Sequence, residues 1–154
     1  MHGNLLIDHL KEFHAKADTS NFNVLDFVSA FGNPLEALAY SYLFWPDFVE
    51  FEGMIFHQGC IENDDDRSRI RAAGSEFSSR KEVEQSFNQF VIPDSFFNSG
   101  ISPTTDEEDL FLAERIAEIW RARLAQLFPN KNCVVEVQLP KETEEGPTIV
   151  VYQD

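Results

Sequence analysis

Seven carboxylates in two short stretches are the residues whose types and spacing could do chemistry. Three lie on or beside a predicted strand and four follow it; they are Asp47, Glu50, Glu52, Glu62, Asp64, Asp65 and Asp66. Paired carboxylates perform general acid and base catalysis when a fold fixes two of them in one cleft, but nothing in this spacing fixes such a pair. An acidic surface that binds a basic protein needs less precision, and we prefer that interpretation. A solvated acidic face with no partner is the alternative.

The run from Asp64 to Asp66 could also indicate a calcium site. An EF-hand loop needs ligands at alternating positions, a central glycine and a final glutamate. Here Arg67 and Arg69 follow the run, and the turn has no glycine. We therefore expect no metal and interpret the run as the acidic start of a helix. The sequence also has no phosphate-binding glycine cluster and no nucleophile elbow, so we expect no cofactor.

His57 and Cys60 place an imidazole and a thiol close together in the sequence. A zinc site would need at least two more ligands, and the only other cysteine is Cys133. A thiol nucleophile would need a base within hydrogen-bond reach, and His57 is the candidate. A small enzyme or ligand-binding protein with a pocket near His57 and Cys60 is thus one alternative, although we expect that the protein is not an enzyme.

The charge balance narrows the class of partner. The 154 residues include 12 Lys and Arg against 27 Asp and Glu, a formal net charge of −15. Such a charge repels nucleic acid and anionic membranes and attracts basic proteins. Two cysteines, no secretion signal at the N-terminus and no apolar run near a membrane span lead us to expect a cytoplasmic protein with free thiols. We expect a monomer or a weak dimer.

Helical spacing dominates the first part of the chain. Amphipathic patterns predict helices over ~4–17 and ~23–31, and Asn33-Pro34 reads as the start of a third helix through ~43. Its inward residues are predicted to include Leu35 and Leu38. After Pro46 the apolar period changes to two, which predicts strand structure over 48–57. Gly53 is either a hairpin turn or a bulge.

The remaining elements complete an α+β prediction for one domain over 1–154. A short helix after the acidic run should close at Gly74-Ser75, and a helix over ~80–91 should follow. A loop at 93–104, tucked in by its own aromatic residues, precedes one long helix at 106–128, which starts with a capping box from Thr105 to Glu108. This helix should pack across the sheet, with Trp120 near the centre. Strands at 133–139 and 148–153 flank an acidic hairpin loop. We expect helices packed on a small antiparallel sheet of three to four strands that includes 48–57.

Two landmarks carry a resemblance to known proteins. One is Trp45-Pro46-Asp47-Phe48-Val49-Glu50 followed by Gly53 and Phe56; the other is Ile119-Trp120 with Leu124 and Phe128-Pro129, then a valine-rich strand and a terminal strand from Ile149 to Gln153. Together they resemble a group of small, stand-alone acidic bacterial proteins. They are also similar in size, acidity and layout to immunity proteins of bacterial toxin systems. The resemblance covers about the last two-thirds of the chain and specifies a fold better than it specifies site residues.

The resemblance implies an inhibitor that binds and neutralises a cognate bacterial toxin, such as a nuclease, through the acidic surface. Electrostatic steering would speed that association, and Phe48 and Tyr152, if exposed, would anchor it. An accessory protein with an unrelated partner is the remaining alternative. If Asp47, Glu50 and Glu52 pair with the protein's own arginines, the binding surface moves to the 62–66 loop.

Overall fold

The computed structural model describes residues 24–92, 105–139 and 146–154. The chain divides into two compact units, Met1–Ser41 and Tyr42–Asp154. Single-domain organisation over 1–154 therefore stays a prediction. Three other predictions lie outside the described residues: the helix at ~4–17, the tucked loop at 93–104 and most of the acidic hairpin loop. The α+β fold class is confirmed, with small antiparallel sheets and one long helix.

Two helices begin the described chain, α1 from Val24 to Phe31 and α2 from Pro34 to Phe44. The predicted start of α2 is confirmed, because Asn33 Oδ1 accepts a hydrogen bond from the Leu35 amide at 2.9 Å. The predicted inward face is wrong, since Leu35 is 73% and Leu38 is 56% exposed. Apolar side chains lie on all sides of α2, so their spacing does not define a buried stripe. Within the described ranges, no helix combines the length and apolar content needed to cross a bilayer.

Strands β1 (Phe48–Phe51) and β2 (Met54–His57) form an antiparallel hairpin in which Phe51 faces Met54. Glu52 and Gly53 make the two-residue turn, with φ angles of 52° and 81°. Positive φ at both central residues gives the turn whose twist matches the flanking strands. Gly53 is therefore a hairpin turn and not a bulge.

A separate three-stranded antiparallel sheet has the order β3-β5-β4, with β3 at Gln89–Val91, β4 at Cys133–Gln138 and β5 at Thr148–Gln153. The two later strands are confirmed. The expectation of one sheet that includes 48–57 is wrong, because the hairpin makes its own sheet. The predicted helix at ~80–91 is too long, because Gln89–Val91 pairs with Thr148–Val150 of β5 instead of continuing the helix.

Three helices pack around these strands: α3 (Asp64–Glu76), α4 (Arg80–Phe87) and α5 (Asp106–Leu127). Helix α3 runs past Gly74, where the sequence predicted a stop. The predicted capping box at the start of α5 is confirmed: Thr105 Oγ1 accepts from the Glu108 amide, and the Glu108 carboxylate accepts from the Thr105 amide. The long helix ends one residue before its predicted limit.

Helix α5 packs on the three-stranded sheet and carries Trp120 into the main core, as predicted. Trp120 is 2% exposed, and its ring meets Phe48 and Phe90 edge to face. Its indole Nε1 donates to the Leu43 carbonyl at 2.8 Å. A second buried cluster lies between the hairpin and helices α3 and α4, with Phe56 and Ile70 fully buried. The hairpin thus contributes to both cores.

Two buried polar side chains of α4 and its C-terminal cap join the hairpin to the sheet. Glu84 accepts hydrogen bonds from the amides of Ile55 and Gln153, at 2.6 and 2.8 Å, and from the Gln153 side chain at 2.7 Å. Asn88 accepts from the His57 amide and donates to the carbonyls of Ile55 and Val151. These hydrogen bonds satisfy backbone amides and carbonyls of β2 and β5 that do not pair with a neighbouring strand.

Candidate functional site

The three acidic residues on and beside β1 pair with the protein's own cations. Asp47 accepts from Arg123 Nη2, Glu50 lies 2.8 Å from Lys131 Nζ, and Glu52 lies 2.7 Å from Arg71 Nε. Each contact joins residues far apart in the sequence. The stretch from Asp47 to Glu52 is therefore part of the architecture, and the hypothesised binding surface moves to the 62–66 loop.

Arg123, the partner of Asp47, is held in place by other contacts in the fold. Its side chain is only 16% exposed, and it also donates from Nε to the Pro46 carbonyl at 3.0 Å. Its guanidinium carbon lies 5.3 Å from the centre of the Trp45 ring. A partner that bound Asp47 through a cation would have to compete with these internal contacts.

The 62–66 loop is held in one conformation by its own hydrogen bonds. Asn63 Oδ1 accepts from the amides of Asp65 and Asp66, at 2.9 and 3.0 Å. Asp66 Oδ2 accepts in return from the amides of Glu62 and Asn63. Asp66 is therefore a capping residue, and its side chain is only 20% exposed. We call Glu62, Asp64, Asp65 and Asp66 the acidic knuckle.

The other members of the acidic knuckle face solvent. Asp64 has a side chain that is 95% exposed and pairs with Arg67 at 2.9 Å. Glu62 and Asp65 are exposed, and in the described part of the chain neither side chain makes a hydrogen bond or an ion pair. They are the two predicted site residues whose carboxylates remain available to another molecule.

The part of the sequence that ends with the knuckle is acidic over a long range. Between Lys16 and Arg67 the sequence holds ten Asp and Glu and no Lys or Arg. Beyond Asp66, Arg67 and Arg69 return positive charge along α3, but both pair locally with aspartates of the first turn. The knuckle therefore lies between a segment that has no Lys or Arg and a helix whose first two arginines pair with its own aspartates.

The predicted pairing of His57 with Cys60 does not form. Cys60 Sγ donates to the Phe87 carbonyl at 3.1 Å, and burial together with the charge of Asp66 raises the pKa of the thiol. His57 Nδ1 accepts from the Gly59 amide at 3.1 Å, while Nε2 is buried with no hydrogen-bond partner in the described residues. A protonated thiol without a base is a poor nucleophile. This geometry gives no support to chemistry at His57 and Cys60.

Burial of His57 makes a pH dependence of stability expected. The imidazole packs 5.5 Å from the Trp120 ring, and desolvation lowers its pKa below the ordinary 6.5. As pH falls through 6.5, the unfolded chain takes up this proton before the folded chain does, so the free energy of unfolding falls. Urea denaturation of wild type and His57→Phe at about pH 7.5 and about pH 5.5 tests this. The wild type should lose more stability than the variant, and equal losses contradict the assignment.

A cleft of about 450 Å³ lies between the β1–β2 turn, the end of α3 and the start of α4, and neither His57 nor Cys60 lines it. Arg71 and Arg80 line it together with serines and a few apolar side chains. Among the described residues, no group of three His, Cys, Asp or Glu side chains is arranged to hold a metal ion.

The predicted aromatic anchors have other roles. Phe48 is 5% exposed and belongs to the main core, so it is not an anchor. Tyr152 is half-buried, with Lys81 Nζ 4.3 Å from its ring centre. Sequence reasoning also missed Glu84 and Asn88. No local pattern distinguishes these two residues from solvated positions, because their partners lie on distant strands.

Comparison with known proteins gives no relative: no family model, no curated protein and no solved structure matches the chain.

Proposed function

We propose that the chain is an immunity-type inhibitor that binds and neutralises a basic bacterial toxin domain, such as a nuclease, through the acidic knuckle. The observation that carries the proposal is the pair of exposed carboxylates, Glu62 and Asp65, which lack intramolecular partners among the described residues. Glu62 precedes the N-cap residue Asn63, and Asp65 lies in the first turn of α3, where the reciprocal hydrogen bonds of Asn63 and Asp66 fix the backbone.

The charge of the chain supports a basic partner. A net charge of −15 steers cationic surfaces toward the protein, and the cation-free stretch before Arg67 concentrates that field on one part of the sequence. Asp47, Glu50 and Glu52 are neutralised by their own partners and contribute less. The knuckle therefore offers exposed carboxylates that can form new pairs with a cationic surface.

The fixed geometry of the knuckle supports a high binding affinity as well as a fast association rate. Binding a mobile loop costs the entropy of ordering its side chains and backbone. Here Asn63 accepts from Asp65 and Asp66 before any partner arrives. Charge-assisted hydrogen bonds from a partner's arginine or lysine to Glu62 and Asp65 would then form without reorganising the loop.

The proposal is tested by co-purification with the product of the adjacent gene and by growth protection against it. A double variant, Glu62→Gln with Asp65→Asn, should lower the association rate about tenfold at low salt and flatten its salt dependence. The matched control is Glu114→Gln with Glu118→Gln, which removes the same charge from α5. Equal slowing by both variants would contradict a specific role for the knuckle. Absence of binding at both low and physiological salt would end the toxin proposal.

An accessory protein with an unrelated basic partner would use the same carboxylates. Capture of a partner other than a toxin, sensitive to the knuckle variant and insensitive to the α5 variant, would favour that role. An enzyme at His57 and Cys60 has no such supporting observation, because Cys60 is bonded to the Phe87 carbonyl.

A further inference from the structure

The cleft beside the β1–β2 turn differs in charge from the rest of this acidic chain. About 450 Å³ in volume, it is lined by a single carboxylate, Glu52, and by two guanidinium groups, from Arg71 and Arg80. The Glu52 carboxylate is held by Arg71 at 2.7 Å. The residues that line the cleft therefore include one more guanidinium than carboxylate. The carboxylate of Glu82 lies beside the cleft, where it accepts a hydrogen bond from the Ser78 amide at 2.8 Å.

Arg80 is the unusual member of this lining. It makes no hydrogen bond and no ion pair with any residue in the described ranges. The other described Lys and Arg residues all have such a partner: seven pair with carboxylates, and Arg121 donates to the Val135 carbonyl. Acidic residues outnumber basic ones in this chain, so the lack of a partner does not come from a shortage of carboxylates.

The position of Arg80 is set by the hairpin turn. Its Nη1 lies 3.0 Å from the point that a Cβ atom on Gly53 would occupy. The absence of a side chain at Gly53 therefore gives the guanidinium room to lie against the turn. The nearest lining carboxylate, Glu52, is already engaged by Arg71. Within the described ranges no group takes up the five donors of the Arg80 fork, and the exposed side chain can present them to a molecule from outside the chain.

We propose that this cleft binds an organic oxyanion, a carboxylate or phosphate carried on an apolar body, with Arg80 as its ion-pairing residue. A planar guanidinium matches both anions with two parallel hydrogen bonds. The hydroxyls of Ser75 and Ser78 also line the cleft and supply further donors. Phe77, which is 39% exposed, forms the apolar wall of the cleft, and Met54 and Val83 lie almost completely buried behind it.

Titration of the intact chain followed by amide NMR tests the site, with inorganic phosphate, phenyl phosphate and phenylacetate as probes. Saturable shifts should appear at the amides around Arg80, and phenyl phosphate should bind more tightly than inorganic phosphate because of the apolar wall. Arg80→Ala should weaken binding about tenfold or more, and Arg80→Lys by less, since lysine keeps the charge and loses the fork. Arg67→Ala removes the same charge from α3 outside the cleft and should leave binding unchanged.

Several results would overturn the site: no saturable shift with any probe, shifts spread over the surface, or equal weakening by Arg67→Ala and Arg80→Ala. Preferential binding of phenyl phosphate over phenylacetate identifies a phosphate ligand, and the reverse preference identifies a carboxylate. The site does not depend on the acidic knuckle, because it is measured with small probes and with a different residue. Either proposal can therefore fail while the other holds.

Discussion

Replacing Glu84 with alanine is expected to lower the free energy of unfolding by about 4 kcal/mol. The side chain is 1% exposed, and its two oxygens accept three hydrogen bonds from Ile55 and Gln153. Alanine would leave the buried Ile55 amide and the partly buried Gln153 donors without this acceptor, and each unsatisfied donor costs about 1–3 kcal/mol. The loss would also remove one of the two side-chain links between β2 and β5, while Asn88 would keep the other. Urea denaturation followed by circular dichroism measures the change.

The isosteric variant Glu84→Gln distinguishes the contribution of the carboxylate from the contribution of the side-chain volume. Its amide oxygen can keep the two bonds that Oε1 accepts, while its NH₂ group faces the Gln153 amide, which is itself a donor. We therefore expect an intermediate loss of about 2 kcal/mol. Glu118→Ala is the control, because this exposed pair with Arg115 should contribute less than about 1 kcal/mol. If Glu84→Ala were as stable as the control, the carboxylate would not be joining the sheets.

The second large effect is expected at Trp120. Substitution by alanine should cost about 3–5 kcal/mol, because the buried indole fills the main core between α5 and the strands. It would also leave the Leu43 carbonyl without the donor that lies 2.8 Å away. Together these losses approach the whole stability of an ordinary domain, about 5–15 kcal/mol. Thermal and urea unfolding measured by circular dichroism would detect this loss.

Trp45 provides the matched control for Trp120. It is 48% exposed, and its main contact is the Arg123 guanidinium near its ring. Trp45→Ala should therefore cost about 1 kcal/mol or less. Trp120→Phe keeps an aromatic ring in the core but loses part of the indole volume together with its N–H, so its effect should lie between the two. Similar losses for Trp45→Ala and Trp120→Ala would contradict the core position of Trp120.

The internal ion pairs of the acidic residues limit which carboxylates could bind another molecule. Arg123, Lys131 and Arg71 hold the carboxylates of Asp47, Glu50 and Glu52, which leaves four of the seven predicted site carboxylates on the candidate surface. Among the described residues, two of the predicted site carboxylates, Glu62 and Asp65, face solvent without a partner, and Arg80 beside the β1–β2 turn makes no hydrogen bond or ion pair. These two features attract opposite charges, and separate variants test them.

Interactions between residues that lie close together in the sequence allowed part of this structure to be predicted from the sequence alone. The change of apolar period after Pro46, the Asn33-Pro34 helix start and the capping box at Thr105 each depend on residues within four positions of one another. They fixed the existence of most described elements, the long helix and the α+β class. Charge and composition, which need no coordinates, indicated a basic partner.

Only the tertiary structure decided which residues meet. Gln89–Val91 becomes a strand because β5 offers it a partner, and Glu84 accepts from a residue 69 positions away. Arg123 reaches Asp47 across 76 positions, and that single pairing converts a predicted binding residue into architecture. Sequence patterns report the faces and ends of elements. The energy of a buried hydrogen bond or ion pair depends on partners that distant segments supply, so the candidate site could be chosen only after those partners were known.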